Sequence, residues 1–170
     1  MKALILHGSK RGGTAGLAEM VGLALATEGI EPDVRPAARR VGDISSYDVV
    51  IVGGALYTKR WHPAARRFVK GNARELRERP VWLFSSGPLD DSAVTEDIAP
   101  VPAVAALMER SGARGHQTFG GRLAPDATGF PASAMAKTRA GDWRDQEHVR
   151  RWVRSIAAEL RRSRDIAARS

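Results

Sequence analysis

The sequence contains no cysteine, so disulfides and thiolate metal sites are excluded and thiol usage says nothing about compartment. Its four histidines lack metal-ligand spacing such as H-E-x-x-H, which argues against a metal centre. No apolar run approaches the roughly 18–20 residues of a membrane helix, and the apolar stretch in "MKALILHGSK" is too short for a signal peptide. A cytoplasmic location is therefore the expectation. Neither G-x-x-x-x-G-K-[ST] nor G-x-G-x-x-G occurs, which argues against a nucleotide-hydrolysing phosphate loop and against a dinucleotide fold. Aromatics are sparse at 6%, and acidic residues are outnumbered, 19 against 27 basic, for a net charge of +8. That imbalance raises nucleic acid, an acidic protein or an anionic membrane surface as partners, with an arginine-rich solvated surface as the plain alternative.

What is present alternates. "ALILH" (3–7) is a continuous apolar run before a glycine turn, the signature of a strand buried on both faces. From Thr14 the period becomes helical through Leu17, Met20, Val21, Ala24 and Leu25, and Gly29 closes that helix. "PDVRPA" (32–37) is a weaker strand and "YDVVIVGGALY" (47–57) the strongest one. A helix from Pro63 is predicted with Ala64, Ala65, Phe68, Val69 and Leu76 on one face. "PVWLFSSGP" (80–88), a short helix over 101–111 ended by Gly112, "HQTFGG" (116–121) and a helix from about Asp142 complete the series. The last helix turns Val149, Trp152, Val153, Ile156 and Leu160 inward, and Trp82, Trp143 and Trp152 read as core. The chain (1–170) is expected to form one α/β domain, a parallel sheet with helices on both faces. Segments 89–102 and 123–140 are irregular, either functional or tolerated insertions.

In such a sheet a ligand sits at the carboxyl ends of the strands. The three strongest strands end in "HGSKRGGT", "GGALYTKRWH" and "SSGPLD", all rich in small, hydroxyl or aromatic residues. The first supplies backbone N–H groups and a helix N-terminus, which is a preformed anion site. Gly12 and Gly13 let the backbone approach closely, and Ser9 and Thr14 add hydroxyls.

The pattern S-x-x-G-x-T in "SKRGGT" resembles the phosphate loop of flavodoxins, with Arg11 where that family's S/T-x-T-G-x-T has its middle hydroxyl. The resemblance continues through "YDVVIVGGALYTKRWHPAARRFVK", "PVWLFSSGP", "FGGRL" and "GDWRDQEHVRRWVRSIAAEL", covers nearly the whole chain, and is nearest to the branch containing menaquinone-dependent protoporphyrinogen oxidase. It implies a flavodoxin-like three-layer sandwich, a five-stranded parallel sheet in order 2-1-3-4-5, and FMN as cofactor. Carried over by position, Ser9, Lys10, Arg11, Gly12, Gly13 and Thr14 wrap the phosphate. Gly54, Ala55, Leu56, Tyr57 and Thr58 lie along one side of the flavin ring, and Ser85, Ser86, Gly87 and Pro88 along the other. Tyr57 and Trp61 are the stacking candidates.

His62 is a weak catalytic candidate, a proton donor or else a helix cap, and His7 reads as a packed neighbour of the phosphate loop. Asp90 and Asp91 read as a solvated loop. Basic residues cluster on the helix after the third strand (Arg66, Arg67, Lys70, Arg74) and on the last helix (Arg150, Arg151, Arg154, Arg161). The implied topology puts those helices on opposite faces, so no continuous basic surface forms, which argues against nucleic acid. Peripheral membrane contact stays open. The resemblance implies an oxidoreductase with an anionic or quinone-like small substrate. Two alternatives stand beside it: an electron carrier serving a redox partner protein, and a flavin-free binding module.

Overall fold

A computed structural model of the protein describes residues 1–37, 41–129 and 131–169. Five strands, β1 (Lys2–Gly8), β2 (Glu31–Pro36), β3 (Val49–Tyr57), β5 (Val81–Ser86) and β6 (Gly115–Phe119), pair in parallel in the order β2-β1-β3-β5-β6. A two-residue strand β4 (Arg60–Trp61) folds back antiparallel on the end of β3 and adds a sixth strand off the main path. The parallel order agrees with the sequence expectation, counted without β4.

Side chains alternate across the sheet, and both faces are covered. Ala3 and Ile5 of β1, with Ile51, Phe84 and Phe119, pack against α1 (Gly13–Thr27) and α7 (Gln146–Arg169). Leu4 and Leu6, with Val50, Val52 and Leu83, pack against α2 (Pro63–Gly71) and α5 (Pro102–Ser111). The basic helices α2 and α7 thus lie on opposite faces of the sheet.

Local chemistry sets the helix ends. Beyond α1 the chain turns at Gly29 (φ 74), whose N–H donates to Ala26 O while that of Ile30 reaches Leu25 O. Pro63 starts α2, where its missing N–H costs no helical bond. The single helix expected from Pro63 to Leu76 is two, α2 and α3 (Ala73–Leu76). Asn72 makes the break, its side-chain amide donating to Phe68 O at 2.9 Å.

The irregular segments also contain structure. Residues 89–102 include α4 (Ser92–Thr95), with Asp90 accepting from the Ser92 N–H at 3.0 Å. Residues 122–142 include a hairpin of β7 (Arg122–Leu123) and β8 (Gly141–Asp142) around α6 (Ala132–Arg139). The hairpin moves the start of α7 to Gln146, four residues later than expected. Trp143 is half-buried rather than core, its ring lying over Gly141.

Candidate functional site

The parallel register brings Gly8, Gly54 and Ser85 level with one another, so β1, β3 and β5 end on one line. A cavity of about 300 Å³ opens there, at the lower end of the roughly 300–1,000 Å³ range of small-ligand pockets. Three walls enclose it: the loop after β1, the β3 end with the β5 end, and the β7–α6 segment.

The first wall is the head of α1. Gly12 holds φ 77, a left-handed conformation that favours glycine, and its N–H donates to Ser9 Oγ at 3.0 Å. No side chain caps α1 and its first turn carries no acidic residue, so the positive end of the helix is uncompensated. Thr14 lines the cavity while only 1% exposed, and its Oγ1 has no hydrogen-bond partner among the described residues. A buried hydroxyl without a partner costs free energy unless a ligand supplies one. Arg11 lines the cavity too, and its guanidinium donates to Thr128 O at 3.1 Å. Lys10 and Gly12 shape the loop without lining the cavity; the Lys10 N–H donates to the Tyr57 hydroxyl at 3.4 Å.

The second wall is built on a two-residue hairpin, Tyr57-Thr58-Lys59-Arg60. Thr58 (φ 47) and Lys59 (φ 59) are the only non-glycine residues with positive φ among the described ones. Such turns favour Asn-Gly, so this one stores strain beside the cavity. Ala55, Leu56, Tyr57 and Thr58 line the space, as do Ser86 and Gly87 from the end of β5.

Several expected site residues lie behind these walls. Trp61, expected beside Tyr57 as a stacking ring, is 2% exposed, and a Cβ on Gly54 would come within 2.6 Å of it. Gly54 therefore makes room for a core tryptophan instead of facing the cavity, and Tyr57 is left as the aromatic on this wall. The Trp61 indole N–H donates to Ser85 Oγ at 2.8 Å, and Ser85 Oγ also lies 2.8 Å from His116 Nε2. His116 Nδ1 is buried without a partner among the described residues. With Ser85 donating to Nε2, one buried N–H stays unmet; with the opposite tautomer, both Nδ1 and the serine O–H are unmet. The first arrangement is favoured, and burial lowers the His116 pKa to about 4, opposed in part by Asp97. Pro88 accepts from the Gly121 N–H at 2.7 Å and does not line the cavity.

His62 caps α2, its Nδ1 accepting from the Ala64 N–H at 3.3 Å. Burial, then the charges of Lys10 and Arg67, push its pKa down, so the ring is neutral and occupied as an acceptor. His7 is likewise held neutral by burial, with Nδ1 unpartnered among the described residues.

The third wall was flagged in the sequence only as an irregular segment. It comprises Leu89, Gly121, Arg122, Leu123, Pro131, Ala132 and Met135. Phe130, within that segment, lies outside the described residues.

A glycine-bent loop, an uncapped helix head and a buried free hydroxyl, placed at the ends of β1, β3 and β5, match one known pattern. The profile described as "Flavodoxin domain" matches residues 4–140. The chain belongs to the flavodoxin domain family. No curated protein sequence matches it significantly. Among solved structures it is similar to a flavodoxin from the domain Archaea, at 14% identity over 95% of this chain and 99% of that one, with a TM-score of 0.62. Oxidised Flavodoxin 2 from Bacillus cereus matches at 18% identity over 94% and 99%, again with a TM-score of 0.62. The rubredoxin oxygen:oxidoreductase of Desulfovibrio gigas matches at 14% identity and a TM-score of 0.62, over 94% of this chain and 36% of that chain. At these identities the structural likenesses speak for the fold.

The flavodoxin-like fold supports an FMN-binding redox protein. Among the described residues no helix is long and apolar enough to cross a membrane, and no cluster of three or more His, Asp or Glu could hold a metal ion.

Proposed function

We propose that the chain binds FMN with its phosphate at the head of α1, and acts as a flavin-dependent oxidoreductase of the protoporphyrinogen-oxidase-like branch. The observation that carries the FMN reading is Thr14: a cavity-lining hydroxyl, 1% exposed and without a partner, at the uncapped positive end of a helix. A phosphomonoester would accept from that hydroxyl and from the first-turn N–H groups, with Arg11 adjacent. Bound FMN would supply the electron chemistry; this chain's residues bind it, orient it and exclude water. The Tyr57 wall and the Ser86–Gly87 wall would flank the ring, and the Leu123, Ala132 and Met135 side would keep it dry.

The third wall favours an enzyme over a carrier, because it encloses part of the cavity with apolar side chains, as a site for a quinone or an anionic small substrate would need. An electron carrier without its own substrate is favoured by one observation, the exposed Lys10, Lys59, Arg60 and Arg122 at or beside the mouth, none of which forms an ion pair among the described residues. Purified or reconstituted protein should show flavin absorption bands and release FMN on denaturation. No binding of added FMN at micromolar concentration would refute the reading. Turnover of a small quinone by the isolated loaded protein supports the enzyme, and reduction by a partner reductase without such turnover supports the carrier.

A further inference from the structure

The β7–β8 segment hangs on the head of α1 at three points of unequal strength. At its base, the backbone of Arg122 packs on Gly13, where a Cβ would lie 3.5 Å from Arg122 N. Farther along, Arg144, paired with Asp142 at the end of β8, lies over Gly16, and a Cβ there would come 2.1 Å from its guanidinium. The Arg144 side chain is only 12% exposed. These two are packing contacts that hold whatever the cavity contains. The tip differs, because among the described residues Thr128 is tied to the phosphate loop by one bond, from the exposed Arg11 guanidinium to its carbonyl at 3.1 Å. An exposed hydrogen bond of this kind competes with water and holds little alone.

Arg11 therefore has two clients. Its guanidinium is a planar fork with five N–H donors, one of which is used on Thr128 O, and its other N–H groups have no partner among the described residues. The unpartnered Thr14 hydroxyl marks where an anion is wanted at the same helix head. An anion there would fix the guanidinium through charge-assisted hydrogen bonds, and a fixed guanidinium holds the Thr128 carbonyl.

We propose that Arg11 couples recognition of the 5′-phosphate to closure of residues Ala124–Gly129 over the cavity, so that the phosphorylated flavin is enclosed and the unphosphorylated one is not. This rests on the FMN reading above. The arginine at this position trades a loop hydroxyl for a side chain long enough to reach the opposite wall. The base of the segment stays packed, and only the tip follows the ligand.

The test is hydrogen–deuterium exchange of the full chain with saturating FMN or riboflavin, with flavin affinities measured separately by fluorescence quenching. FMN should slow exchange over residues 124–129 roughly tenfold more than riboflavin does, the equivalent of one charge-assisted hydrogen bond. In Arg11→Ala, FMN should still bind through Thr14 and the helix head, and the difference between the two ligands should vanish. Arg11→Lys keeps the charge without the fork, so it should keep more FMN affinity than Arg11→Ala and still lose the extra protection; it carries the comparison if Arg11→Ala binds too weakly to saturate. Equal protection by riboflavin in the native protein, or native-like protection in an FMN-bound Arg11 variant, overturns the coupling and leaves FMN binding standing. Failure of the native protein to bind FMN overturns the FMN reading itself and takes the coupling with it.

Discussion

Replacing Thr14 with valine should have opposite effects with and without flavin. The side chain is 1% exposed and its Oγ1 has no partner among the described residues, so in the flavin-free protein the hydroxyl is desolvated without return. Valine has nearly the same shape and the same branching at Cβ, and it removes that penalty. An unmet buried hydroxyl costs about 1–3 kcal/mol, so the flavin-free variant should melt higher by roughly 2–12 °C, taking about 2–4 °C per kcal/mol for a chain of this size. With FMN the sign reverses. The variant loses a hydrogen bond to a charged acceptor worth about 1.5–3 kcal/mol, weakening FMN by roughly 10- to 150-fold. Riboflavin, lacking the phosphate, should bind as before. Thermal scans of the flavin-free protein and parallel titrations with both flavins read the two halves independently. A lower melting temperature in the flavin-free variant would mean that Thr14 is satisfied in the native protein. Equal weakening of FMN and riboflavin would put the phosphate elsewhere.

Two further outcomes follow from strain and titration. Lys59→Gly relieves a side chain held at φ 59 in the hairpin beside the cavity; left-handed backbone costs about 1–2 kcal/mol, offset in part by the extra freedom glycine has when unfolded, so a net gain of about 1 kcal/mol is expected in thermal or denaturant unfolding, and a loss would show that the lysine side chain holds the turn. Burial puts His116 at a pKa of about 4 in the folded chain against 6.5 unfolded, so its contribution to stability is complete above pH 6.5, falls at up to about 1.4 kcal/mol per pH unit as the unfolded chain takes up the proton first, and is gone near pH 4. Denaturant midpoints across that window should be flatter in His116→Gln; the native slope persisting there would assign the titration to His7, His62 or His148, which burial also lowers.

The strands and the glycine-bent loop after β1 were legible in the sequence because their signals are local, while the strand order came with the family resemblance. Apolar runs such as "VVIV" fix buried strands, and "SKRGGT" carries its turn glycine and Thr14 within six residues. The Trp61 position was not legible, since it depends on pairing Leu56 with Trp61 across the hairpin and on the absence of a Cβ at Gly54. An aromatic next to a predicted ligand loop looks like a stacking ring until that register is known. The third wall failed for a similar reason: two-residue strands show no periodicity, and Leu123 meets the cavity only through pairing with Gly141, eighteen positions away. The break between α2 and α3 did have a signal, Gly71-Asn72, which a longer apolar face masked.

The net charge of +8 overstates what a ligand meets, because much of the arginine excess serves the fold. Arg77 donates to the carbonyls of Glu109 and Arg110 at the end of α5, where a cation also opposes the negative end of the helix. Arg79 donates to Ile44 O at 2.8 Å, and Arg161 bridges α7 to the carboxylate and the carbonyl of Glu28 just beyond α1. Arg150 and Arg154 share Glu147, and Arg114 pairs with Glu159. These groups either replace a backbone partner or are neutralised on the spot. Of the basic residues without an ion pair among the described residues, Arg11 and Arg122 line the cavity, and Lys10, Lys59 and Arg60 belong to the loops beside it, all exposed. The charges of Lys10 and Arg67 also add to burial in lowering the pKa of His62. Within a Debye length of about 8–10 Å such a field is only partly screened, and so the positive charge beside the cavity acts on an incoming anion where Thr14 and the head of α1 are prepared to receive it.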